Sequence, residues 1–296
     1  MYEPEWKFPT SLAEALAIFA AVGGDAVAVA GGTDIAPVVS GGARRPRILV
    51  DLGRVEDMRL LSADPGEAGG GGVEIGALVT HGVLASDERV SRVAGVLSAA
   101  CRTVGAPQVR ARGTIGGNLA NASPAADGVV ALVALGASAV VESDHDGRRD
   151  VPLSEFLLGP GRTVLRPDEL VTGVTFISPS SDARGVYRKA GQRKALAIAI
   201  ASVALVHEPG AGTVRIALGS VAPTPIRATE AEGLFESGWG NEPARAELLN
   251  EVALAAARAA SPIDDVRASA WYRTVLVEVL TRRALEEACL QIENTR

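Results

Sequence analysis

The run Gly113-Thr114-Ile115-Gly116-Gly117-Asn118-Leu119-Ala120-Asn121-Ala122-Ser123-Pro124-Ala125-Ala126-Asp127 constrains this chain most, because it sets a glycine pair directly against a marked helix start. Gly116 and Gly117 let a backbone approach an anion with no Cβ between them, and allow positive φ. Ser123 reads as an N-cap and Pro124 as the first helical residue, so unpaired amides and the positive helix end would gather there. Residues 129–135 are continuously apolar and predict the buried helix that follows, stopped by Gly136. A similar loop, Ala30-Gly31-Gly32-Thr33-Asp34, follows the β-like run at 26–30. Two such loops fit one elongated ligand with a pyrophosphate between them. Neither has the form GxGxxG or GxxxxGK[ST], which argues against Rossmann and nucleoside-triphosphatase readings. In a chain with 33 glycines a single Gly-Gly pair is ordinarily a tight turn, so the weight lies in the two together.

The chain has 296 residues, room for two ordinary domains or one large one. Its net charge of −6 and dispersed basic residues leave no stripe for nucleic acid. Arg110 and Arg112, beside the second glycine element, are either a solvated pair or an aid to holding a diphosphate or a partner. Cys101 and Cys289 lie in apolar helical patterns and read as buried thiols, too few to ligate an iron–sulfur cluster. His81, His145 and His207 lack ligand spacing, so no metal site is expected. No apolar run is long enough to span a bilayer, and no signal-peptide pattern opens the chain, which points to a cytoplasmic protein. No GxSxG elbow marks a nucleophile, and no catalytic residue is assigned.

Along the chain, Ser11-Leu12-Ala13-Glu14 forms a capping-box pattern for a helix ending at Gly23-Gly24. Strands follow at 26–30, 47–51 and 73–77, and a helix is expected over 88–104. Further strands are expected at 138–142, 169–177 and 186–189, and at 197–207 and 214–221, the last two joined by a Pro209–Gly212 hairpin. Helices are expected from a capping box at Thr229–Glu232, over 242–260 and over 268–289, with Trp271, Val275, Leu276, Val279 and Leu280 of the last read as core. The fold class is α+β: a two-lobed first domain over 1–190, with lobes of about 1–78 and 79–190, then a smaller α+β domain over 191–296.

AGGTD at 30–34, IGA at 75–77, GTIGGNLANASPAAD at 113–127 and VRIALGSVAPTPIRATEAE at 214–232 together resemble the FAD-binding medium subunit of molybdenum hydroxylases. This is the family of the carbon monoxide dehydrogenase medium subunit and the xanthine dehydrogenase flavin domain. The resemblance runs from about Phe8-Pro9 to the YRxxLxxxLxRRAL-like pattern at 272–285, nearly the whole chain. It implies FAD as cofactor, clamped by Ala30, Gly31, Gly32, Thr33 and Asp34 and by Thr114, Ile115, Gly116, Gly117 and Asn118. It further implies that Asp127 contacts the cofactor, that Val171 touches its adenine or ring system, and that Lys189 lies near the flavin, where a cation favours the anionic reduced ring. From the residues alone, Asp127 complements a helix dipole, Val171 is core and Lys189 is solvated. Where the family often sets an aromatic ring against the flavin, this chain has Val104 and Leu196 at the matching places. The implied role is electron transfer within a complex holding a molybdopterin large subunit and a 2Fe-2S small subunit. A self-sufficient flavin oxidase and a non-catalytic scaffold are the competing readings.

Overall fold

The computed structural model describes residues 3–64, 66, 69–193, 196–240 and 245–293. The chain opens with β1 (Glu5–Lys7), α1 (Leu12–Val22), β2 (Ala26–Val29), α2 (Ile35–Ser40) and β3 (Ile48–Asp51), whose strands form a parallel sheet ordered β1-β3-β2. The Ser11 cap expected at α1 forms, its Oγ accepting from the Glu14 amide, while the Glu14 carboxylate accepts from the Thr10 amide, one residue before the cap. Parallel pairing carries β2 and β3 in the same direction, so the loop after β2 and the loop after β3 emerge at the same sheet edge.

Next come β4 (Leu61–Ala63), β5 (Gly72–Gly76), α3 (His81–Ser86), α4 (Glu88–Val93), α5 (Gly95–Arg102), α6 (Pro107–Arg112), α7 (Ile115–Asn121) and α8 (Asp127–Ala134). They are followed by β6 (Ser138–Ser143), β7 (Gly147–Pro152), α9 (Leu153–Phe156), the short pair β8 (Leu157–Gly159) and β9 (Arg162–Thr163), and β10 (Leu170–Ile177). Strands β4-β5-β10-β6-β7 form an antiparallel sheet packed on these helices. The single helix expected over 88–104 is two: the ladder breaks at Ala94, which takes φ −148° and ψ 53°.

The last part holds β11 (Arg184–Ala190), β12 (Ala201–Glu208), β13 (Thr213–Gly219), β14 (Ile226–Arg227), α10 (Thr229–Gly238), α11 (Arg245–Ala259) and α12 (Ala270–Glu293). The hairpin at 209–212 joins β12 and β13 as expected. The start expected for the 242–260 helix lies outside the described residues. The four strands form one antiparallel sheet, and β11 pairs with β12 from Arg184 to Ala190. A division after 190 would separate β11 from its partner strand, and the sheet itself sets β11, with Lys189, in the second unit.

Strand β12 is buried on both faces, as its unbroken apolar run requires. Val203 and Leu205 join Ile216, Leu218 and the α10–α12 helices in one core, while Ala204 and Val206 join the core of the first unit. The seam is thus a shared layer: α5 and α8 cover one face of the second sheet and α10 and α12 the other.

Two sequence expectations fail locally. Glu232 does not close a capping box; it accepts from the Ile216 amide at 2.7 Å and from both Arg227 nitrogens, so α10 starts with no side-chain cap. Trp271 is 73% exposed, although Leu280 of the same helix is buried. The inward direction at that end of α12 is taken by Arg273, only 2% exposed, which donates to Ile200 O and Ser220 O at 2.8 and 2.9 Å and to Asp265 Oδ1 at 2.6 Å. Removing this guanidinium strands buried acceptors. Arg273→Met should therefore lower unfolding free energy by about 3 kcal/mol, read by urea denaturation. A loss under about 0.5 kcal/mol, the range of ordinary surface changes, would show that the contacts carry no weight.

Candidate functional site

The two glycine elements meet backbone to backbone. A Cβ on Gly31 would collide with the Arg112 carbonyl, and Arg112 Nε donates to Gly31 O at 3.2 Å. Thr33 Oγ1 lies 3.4 Å from where a Cβ on Gly113 would stand. This is a contact that only glycine permits, and it lets the loop after β2 lie across the turn before α7. Gly32 has φ +76°, in the left-handed region that favours glycine. No protein acceptor among the described residues receives the amides of Gly31, Gly32, Thr33 and Asp34. They form a row of donors with no protein partner.

The second element differs from its sequence reading. Thr114, Ile115, Gly116, Gly117 and Asn118 are not a loop: Thr114 is the N-cap of α7, and its Oγ1 accepts from the Gly117 amide at 3.1 Å. The amides of Ile115, Gly116 and Asn118 go to Val79 O, Ala77 O and Thr114 O. Gly116 is required because α7 crosses β5's end closely, where a Cβ would strike Ala77. Ile115 is wholly buried in the core. Nor does Ser123 cap α8. Its Oγ accepts from Ala125 in a tight turn, and the helix begins at Asp127 after an Ala126 N-cap, because Ala122 in the left-handed region reverses the chain first.

A cavity of about 370 Å³ lies where the elements meet, lined by Ala30, Gly31, Thr80, Thr114 and Arg112, and on the far side by Asp51, Gly53, Arg54 and Arg59. Three arginines and one aspartate line it, a balance that suits a diphosphate, although Arg59 also pairs with Glu56 and donates to Gly53 O. Asp51, Gly53, Arg54 and Arg59 escaped the sequence reading. Their signal was the turn Asp51-Leu52-Gly53-Arg54 after a strand parallel to the one before AGGTD.

Beyond the cavity lining, His81 packs between the two glycine segments that flank Thr114 and Asp127. A Cβ on Gly113 would lie 3.3 Å from His81 Cδ2, and one on Gly128 would lie 3.5 Å from His81 Cε1. Asn118 Oδ1 is buried beside Gly128 with no hydrogen-bond partner among the described residues. Asp127 itself is 5% exposed. Its Oδ2 accepts from Lys189 Nζ at 2.6 Å and Thr103 Oγ1 at 3.2 Å, and its Oδ1 from Tyr187 OH at 2.6 Å. Burial raises the Asp127 pKa, opposed by the Lys189 charge and the hydrogen bonds from Lys189, Tyr187 and Thr103. Lys189 also donates to Thr103 O at 3.2 Å, so it is neither solvated nor a lone cation. Thr103 and Tyr187 were not singled out by sequence, since one follows a helix and the other sits 60 residues beyond its partner. Val171 is 7% exposed in the core, paired with Val141 across β6 and away from the cavity lining.

The unpaired amides, the arginines and the Asn118 oxygen all lie in the first unit and fit an elongated, diphosphate-bearing ligand. That architecture is the one expected of a dinucleotide-holding subunit. The chain matches the FAD binding domain in molybdopterin dehydrogenase over residues 2–177, and the CO dehydrogenase flavoprotein C-terminal domain over residues 186–288. It is 32% identical over 287 residues to the carbon monoxide dehydrogenase medium chain of Hydrogenophaga pseudoflava, covering 96% of each chain. It is 33% identical over 293 residues to the glyceraldehyde dehydrogenase medium chain of Sulfolobus acidocaldarius, covering 97% of this chain and 99% of that one. The solved carbon monoxide dehydrogenase of H. pseudoflava lacking the Mo-pyranopterin moiety superposes with a TM-score of 0.89 at 32% identity, covering 97% of this chain and 98% of that chain. Quinoline 2-oxidoreductase of Pseudomonas putida 86 gives 0.87 at 26% identity, covering 98% of each. The chain belongs to this family and is an FAD-binding medium subunit of the molybdenum hydroxylases, an oxidoreductase component. No helix among the described residues is long and apolar enough to cross a membrane.

Burial holds the His81 imidazole down at a pKa of about 4, against 6.5 for a free histidine. Between these values the unfolded chain binds the extra proton, so the stabilisation is complete above pH 6.5 and is lost as pH falls toward 4. Denaturation at pH 7 and pH 4.5 should show a loss larger in the native chain than in His81→Gln by up to about 3 kcal/mol. Equal losses in the two would show that His81 does not titrate in this window.

Proposed function

We infer that this subunit holds FAD with its diphosphate between the loop 30–34 and the Thr114 cap, and passes electrons from iron–sulfur clusters on a 2Fe-2S small subunit to a further acceptor. A large subunit carrying molybdopterin would carry out the hydroxylation. The observation that carries the reading is the loop Gly31–Asp34, whose amides have no acceptor among the described residues and whose Gly31 lines a cavity shared with Arg54, Arg59 and Arg112. When bound, FAD supplies a centre that takes up and releases electrons.

The chain's own groups have separable tasks. The loop amides, with Arg54 and Arg112, hold the diphosphate; Asn118 Oδ1 accepts a hydrogen bond from the cofactor. Thr114, whose hydroxyl accepts from Gly117, fixes the wall rather than lending free amides. Asp127 and Lys189 face the redox end as a pair whose charges offset each other, which gives less bias toward an anionic reduced ring than a lone lysine would. Val171 supports the sheet behind the cofactor. Aliphatic Val104 and Leu196 leave that end without an aromatic cover.

With no cysteine or histidine in either glycine element, the flavin should be noncovalent, and acid extraction should release intact FAD. Gly32→Val should weaken FAD binding more than Asp127→Asn, since it forces a branched side chain into positive φ across the loop amides. The reverse order in a flavin titration would make the loop an ordinary turn. Substrate of the large subunit should bleach the flavin absorbance in the reconstituted complex and leave this chain alone unchanged. Bleaching of the isolated chain by substrate would favour the self-sufficient oxidase.

A further inference from the structure

Asp127 and Thr103 belong to the first unit, Lys189 and Tyr187 to strand β11 of the second. Around this carboxylate the donors are unevenly shared. A carboxylate offers about four acceptor positions, two per oxygen. Oδ2 is filled, by the Lys189 ammonium and the Thr103 hydroxyl. Oδ1 receives one protein donor, the Tyr187 hydroxyl at 2.6 Å, and keeps one acceptor position open. The carboxylate is planar and turns only about Cβ–Cγ, so its three donors fix its plane together, and Tyr187 is the one that holds Oδ1 itself.

We propose that Tyr187 is a positioning residue for the cofactor: it aims Asp127 Oδ1 so that this oxygen accepts a hydrogen bond from a hydroxyl or N–H of FAD, and through it the second unit contributes to cofactor affinity. This rests on the reading that Asp127 faces FAD. The titratable groups facing Asp127 are Lys189 and Tyr187 from β11 and Cys101 from α5, with His81 of α3 against the Cys101 thiol at 3.6 Å. Cys101 is held in its neutral form, because burial and the Asp127 charge both push its pKa up. His81 is neutral above about pH 4, so neither changes charge as the carboxylate is followed through mildly acidic and neutral pH.

The test is FAD titration of the deflavinated subunit assembled with its partner chains, across mildly acidic to mildly alkaline pH, for wild type, Tyr187→Phe and Asp127→Asn. Tyr187→Phe keeps the ring and removes only the hydroxyl. Affinity should fall on the order of tenfold near neutral pH, the worth of one hydrogen bond to a charged group. The loss should deepen toward acid pH, since Asp127 without this donor protonates more readily. In Asp127→Asn the acid-side loss should be absent. A Tyr187→Phe protein with wild-type affinity at every pH overturns the proposal, as does a loss that is uniform with pH and matched by a lower melting temperature. If Tyr187→Phe and Asp127→Asn both bind FAD like wild type, the placement of Asp127 at the cofactor fails along with it. Loss in Asp127→Asn with none in Tyr187→Phe sinks the positioning role alone.

Discussion

One buried carboxylate ties the two halves of this subunit together. Asp127 opens a helix of the first unit, yet two of its three donors come from a strand of the second, across a seam otherwise packed with aliphatic side chains. Taking a carboxylate out of water is costly unless charge and hydrogen bonds replace the water. Lys189, Tyr187 and Thr103 supply that replacement only when β11 lies against α5 and α8 in one arrangement. Apolar packing would tolerate small slides of the two units, whereas the ion pair does not. The second glycine element inherits this rigidity through His81, whose amide donates to Gly113 O and whose ring packs against Gly113 and Gly128.

Glycine performs two different tasks in the loop at 30–34 and the segment at 113–117. At Gly31 and Gly32 it exposes backbone donors and accepts a left-handed turn. At Gly116 it clears a path between a helix and a strand end, and the helix amides are already engaged by Thr114 and the carbonyls of 77 and 79. Unpartnered amides therefore concentrate in the first loop, and Arg54 of the β3 turn lines the same cavity as Gly31. The second element contributes fixed shape instead, its amides already engaged.

Strand β12 shows how the second unit is made dependent on the first. Its alternate residues feed separate cores, so the sheet has no solvated face to fall back on. Burying both faces of that strand needs helices on each side, and α5 and α8 are supplied by the cofactor-binding half. The helices that close the second sheet thus belong to the segment that matches the FAD binding domain.

Local chemistry made much of this legible from the sequence. The Ser11 cap, the β2 strand with its glycine loop, the β12–β13 hairpin and the spaced motifs of the family all depend on residues close in the chain, whose preferences act before any tertiary contact forms. The helix pattern over 88–104 hid the break at Ala94, because periodicity continues across a kink that packing imposes. The capping box at 229–232 failed because Arg227 and the Ile216 amide compete for Glu232, a contest between distant segments that spacing cannot reveal. Arg54 and Arg59 joined the site, and Tyr187 and Thr103 joined Asp127, only because parallel pairing and the shared sheet bring far parts of the chain within hydrogen-bond reach. Sequence by itself determined most of the elements, the family and the glycine loop at 30–34. Tertiary structure alone decided which of those groups remain unpaired for a ligand, since an amide or a carboxylate is available only after every nearer protein partner has been counted.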